Sequence, residues 1–67
     1  MKLLVTDLNE FVRDHALLLP VDYALKLGML LVAGDSLENA TKYLGLRPAD
    51  VNVALYFLRK QGVIEGE

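Results

Sequence analysis

The stretch that most constrains the fold runs from Ser36 to Glu65, SLENATKYLGLRPADVNVALYFLRKQGVIE, because its stop and start signals fall at fixed places. Ser36 is a good helix N-cap, and Leu37, Ala40, Thr41 and Leu44 then recur on one face, leaving Glu38, Asn39 and Lys42 outside. Gly45 makes a tight turn. Arg47 and Pro48 open a longer helix, with Pro48 in its first turn and Asp50 set against the positive end of the dipole. Val51, Ala54, Leu55 and Leu58 form its inward stripe, while Arg59 and Lys60 complement the dipole in the last turn. Gly62 ends it, and Val63 and Ile64 read as a short strand. Two helices joined by a tight turn follow from these signals alone.

The chain upstream supplies two more helices. Thr6 or Asp7 caps the first, predicted over Leu8 to Leu17, in which Leu8, Phe11, Val12 and His15 share a face. His15 is thereby a core residue. Pro20 disfavours helical geometry at Leu19 and is placed to start the second helix, predicted over Val21 to Ala33 and stopped by Gly34. Its polar Asp22 and Lys26 occupy one narrow strip, while Tyr23, Leu25, Leu27, Leu30, Leu31 and Val32 cover most of the rest, the pattern of a central helix. Gly28 in its middle costs about 1 kcal/mol of helix propensity, which close approach of another backbone would offset. Met1 to Val5 is expected to pair with Val63 to Glu65.

Sixty-seven residues make a single domain spanning 1–67, and a domain this small buries only about 60% of its unfolded surface. There is no cysteine for a disulfide and a single histidine, which is no zinc set. With 54% hydrophobic residues, reinforcement by a homo-oligomer or a protein partner is the expectation. Met1 to Thr6 lacks the features of a secretory signal. The apolar run Ala16 to Ala33 is broken by Pro20, Asp22 and Lys26, so no membrane span and a soluble cytoplasmic protein are expected. Catalysis has little to work with, since Ser36 is accounted for as a cap and no phosphate loop or His/Cys cluster exists. The chain reads as no enzyme, with no cofactor, metal or small-molecule substrate.

Leu37 to Glu65 resembles the helix-turn-helix core of the winged-helix transcription regulators, through the capped helix, the Leu44-Gly45-Leu46 turn, the Val51/Ala54/Leu55/Leu58 stripe and the closing Gly62-Val63-Ile64-Glu65. The resemblance implies a mainly α, four-helix winged-helix-like domain with a helix-turn-helix unit and a minimal or absent wing. It implies a small DNA-binding transcriptional regulator, dimeric through its first two helices, whose partner is double-stranded DNA. The DNA-binding residues would be Arg47, Asn52, Tyr56 and Lys60, with Asn52 on an adenine edge and Arg47 or Lys60 on phosphate.

Charge and surface chemistry raise an alternative. Seven basic residues stand against nine acidic ones, a net charge of −2, where DNA readers usually carry a positive face. Val53, Tyr56 and Phe57 look like a second apolar face on the fourth helix. The alternative is therefore a winged-helix-like protein–protein interaction or dimerisation module without DNA binding, with those three residues as its interface.

Overall fold

A computed structural model describes residues 1–66. It is mainly helical, with α1 over Leu8–His15, α2 over Asp22–Val32, α3 over Leu37–Leu44 and α4 over Pro48–Lys60, and no strand among the described residues. A short 3-10 turn, Ala16–Leu18, follows α1.

Side chains and glycines set the helix boundaries. Asp7 caps α1 by accepting from the Asn9 amide at 2.9 Å, and Ser36 caps α3 by accepting from the Asn39 amide at 3.1 Å. Asp50 reaches back to accept from the Arg47 amide at 3.2 Å, closing the start of α4. Gly45 ends α3 with φ 68°, a left-handed conformation that glycine adopts without steric cost.

Two boundaries differ from the sequence expectation. The first helix keeps α geometry only to His15 and then tightens, because Pro20 holds Leu19 extended at φ −90°, ψ 116° and leaves the preceding turn short. Pro20 itself stays outside α2, whose N-cap is Val21 in extended geometry.

Helix α2 is central, packing against α1, α3 and α4. Ala24, Leu27 and Leu31 of α2 meet Phe11 of α1, Ala40 of α3, and Ala54, Leu55 and Leu58 of α4 in one buried cluster. Each large side chain in it contributes about 1.5–3 kcal/mol relative to exposure. The radius of gyration, 10.4 Å, is close to the roughly 11 Å of a folded chain this long, so α1 is docked and not extended. On α1 the expected stripe narrows: Phe11 is fully buried and His15 half-buried, but Leu8 and Val12 are more than a third exposed.

The compensation at Gly28 is a side chain, not a backbone. The Phe11 ring fills the space over it, so close that a Cβ on Gly28 would fall 2.5 Å from Phe11 Cζ.

The ends of the described chain meet as expected, though as a single antiparallel bridge, Leu3 with Ile64, instead of paired strands. The Leu4 amide donates to the Val63 carbonyl at 2.9 Å and the Glu65 amide to the Lys2 carbonyl at 2.8 Å. This clasp lies over the core, for Val63 and Ile64 are both fully buried.

Candidate nucleic-acid interface

Helix α4 is divided lengthwise. Ala54 and Leu58 are fully buried and Leu55 nearly so, while Asn52, Val53, Tyr56, Arg59 and Lys60 all lie exposed on the other half. The division follows from helix periodicity: Asn52, Tyr56 and Arg59 stand four and seven residues apart on one line, and Val53 and Lys60 seven apart on the adjoining one. Neither α1 nor the Met1 to Val5 segment covers this face; that segment is engaged with Val63 to Glu65.

Of the residues expected to touch DNA, three are brought together here. Tyr56 is 54% exposed, and the Lys60 ammonium stands 5.8 Å from the centre of its ring, a cation–π contact of about 0.5–1 kcal/mol at an exposed site. Asn52 lies one turn toward the helix start. Arg47 stands apart from them at the N-cap, its Nε 3.4 Å from Asp50 Oδ2. Exposed pairs of this kind contribute at most about 1 kcal/mol, so a phosphate competes readily for Arg47.

The expected apolar face splits. Val53 is 39% exposed and belongs to the open half of α4, as does Tyr56. Phe57 turns inward instead: it is half-buried, packs against the core, and receives Tyr56 edge-on at 5.3 Å between ring centres. Arg59 is an addition to the site. Its position in the last turn suits the helix dipole, and its spacing of seven from Asn52 is the signal that also puts it on the open face.

Elsewhere the surface offers little chemistry. A groove of about 320 Å³ between α2 and α3 is lined by Lys26, Met29, Leu30, Tyr43 and Leu44, and its one charged group, Lys26, is paired with Asp22 at 2.9 Å. His15 stacks on Phe11 with ring centres 5.9 Å apart, its Nδ1 buried without a hydrogen-bond partner. Among the described residues no group of three or more His, Cys, Asp or Glu side chains is placed to hold a metal ion, and no helix is long and apolar enough to cross a membrane. Compared with protein-family models, with curated proteins and with solved structures, the chain matches none.

Proposed function

We propose that this chain is a small DNA-binding regulator of helix-turn-helix type, with α2 as scaffold helix, α3 and α4 as the helix-turn-helix pair, and α4 as the helix presented to the major groove. The Leu3–Ile64 bridge, whose Ile64 side follows α4 in the chain, supports reading the domain as winged-helix-like with a minimal wing. One observation carries the reading: α4 is anchored by Ala54 and Leu58 in the core while its opposite half, with Asn52, Tyr56, Arg59 and Lys60, is uncovered. A rigid helix with an open polar flank beside a tight turn is the arrangement that groove insertion needs. The cations are few and the net charge is −2, so the electrostatic contribution is small and affinity depends on direct contacts.

The test is fluorescence anisotropy of labelled duplex fragments over a range of salt. Binding should weaken as salt rises, and Arg47→Ala and Lys60→Ala should each lower affinity and reduce the salt slope by about 0.9. Absence of salt-sensitive binding to any duplex overturns the proposal.

A second reading takes the same face as a protein-docking or dimerisation surface, favoured by the exposure of Val53 and Tyr56 and by Leu17, which is 97% exposed on the turn after α1. Sedimentation separates the two. Under this reading Val53→Asp dissociates the DNA-free assembly; under the first, in which any dimer forms through α1 and α2, Val53→Asp leaves the sedimentation coefficient unchanged.

A further inference from the structure

We infer that the open face of α4 selects A·T-rich duplex over G·C-rich duplex. The inference rests on the DNA-binding reading above and adds the class of sequence that the face takes.

Recognition helices touch base edges chiefly with their N-terminal residues, so the half of α4 that matters runs from Ala49 to Tyr56. Its exposed side chains are Ala49, Asn52, Val53 and Tyr56. Asn52 is the one carboxamide there, with its donor and acceptor side by side, and a carboxamide pairs in bidentate fashion with the N6 and N7 positions of adenine. The methyl groups of Ala49 and Val53 and the ring of Tyr56 are apolar contacts of the kind that suits the C5-methyl of thymine.

Readers of guanine are missing from the same stretch. The commonest guanine contact is an Arg or Lys reaching O6 and N7 together. Arg47 precedes the helix and lies against Asp50, with Nε and the backbone amide both directed to the same carboxylate oxygen. Lys60 lies a full turn beyond Tyr56, its ammonium over that ring, and Arg59 is its neighbour in the last turn. These three cations flank the reading half and suit phosphates. A G·C pair under Val53 would have its guanine acceptors and cytosine amino group stripped of water with no partner, which opposes binding.

Anisotropy titrations of the full chain at low salt test this with three duplexes of equal length: one of A·T pairs only, one of G·C pairs only, and the A·T duplex with deoxyuridine in place of thymine, which deletes the major-groove methyls and keeps the pairing. The A·T duplex should bind roughly tenfold or more tighter than the G·C duplex, and the deoxyuridine duplex several-fold more weakly than the thymine one. Asn52→Ala should shrink the A·T preference, and Val53→Ala should narrow the gap between the thymine and deoxyuridine duplexes. Equal affinity for A·T and G·C, or undiminished binding of the deoxyuridine duplex, overturns the inference and leaves DNA binding standing. No binding to any of the three overturns both.

Discussion

The ring of Phe11 occupies the place where a side chain on Gly28 would be. A Cβ on Gly28 would fall 2.5 Å from Phe11 Cζ, 2.9 Å from its Cε1 and 3.0 Å from Leu58 Cδ2. One glycine thus lets α1 and α4 both close on α2, and the site links the docking of the N-terminal helix to the seating of the helix proposed to carry function.

Gly28→Ala therefore sets two effects against each other. Alanine in mid-helix gains about 1 kcal/mol of propensity, whereas forcing a methyl into a filled core costs about 1–3 kcal/mol. The Phe11 ring is fully buried, so displacing it disturbs the core packed around it; overpacking should prevail and the urea midpoint should fall. Adding Phe11→Leu to Gly28→Ala should recover part of the loss, a coupling that a double-mutant cycle measures. A Gly28→Ala protein as stable as the parent would mean that the ring yields at a cost no larger than the propensity gain of about 1 kcal/mol.

Gly45 is a contrasting case. A Cβ there would meet nothing within 4 Å, so any penalty is one of backbone conformation at φ 68°. Gly45→Ala should cost about 1–2 kcal/mol, lowering the thermal midpoint by about 4–8 °C per kcal/mol in a domain of this size. Gly45→Asn should cost less, since asparagine tolerates the left-handed region better. Equal midpoints for glycine and alanine would mean that the turn relaxes to another geometry.

These two glycines show what was legible in the sequence. Gly45 was readable because its role is local: a capped apolar run ends, a glycine follows, and a second run begins at Pro48. The same holds for the cap at Ser36 and for the stripe Ala54, Leu55 and Leu58, while at the first helix the sequence leaves Thr6 and Asp7 open and the structure selects Asp7. The neighbour of Gly28 was not readable, because Phe11 lies seventeen positions earlier in the chain and nothing local marks their meeting. The inward turn of Phe57 is likewise decided by tertiary packing, whereas the early tightening after His15 is local and follows from Pro20 holding Leu19 extended. On the candidate site, the exposure of Asn52, Val53, Tyr56 and Lys60 followed from periodicity, while the placing of Lys60 over Tyr56 and of Arg47 against Asp50 depends on side-chain geometry that spacing does not fix.

The clasp between the ends makes a third prediction. Removing residues 1–5 deletes the half of the Leu3–Ile64 bridge that precedes α1, takes away Val5, which is only 7% exposed, and uncovers Val63 and Ile64. Burial of one such side chain contributes about 1.5–3 kcal/mol, and a 67-residue domain has only about 3–10 kcal/mol in total. The shortened protein should lose much of its stability in urea, with a smaller m-value if the remaining core loosens. An unchanged midpoint would mean that Val63 and Ile64 are held by the helices alone.

Tyr56 and Phe57 separate surface from core on adjacent residues of one helix. Tyr56 is 54% exposed, and its main intramolecular partners are the Phe57 ring and the Lys60 ammonium, so Tyr56→Ala should cost no more than about 1–2 kcal/mol of stability. Phe57 packs against the core cluster, so Phe57→Ala leaves a partial cavity and should cost about 2–4 kcal/mol, somewhat less than the 3–5 kcal/mol of a fully buried phenylalanine. Binding should rank them in the opposite order. With urea midpoints and duplex anisotropy measured on both variants under conditions where each is folded, Tyr56→Ala should lose affinity and stay stable, and Phe57→Ala should lose stability and keep its affinity. If Tyr56→Ala binds duplex as tightly as the parent, the open face of α4 is not the contact surface. If Phe57→Ala is the variant that loses binding while remaining folded, the functional flank lies nearer the core side of α4 than Asn52 and Lys60 indicate.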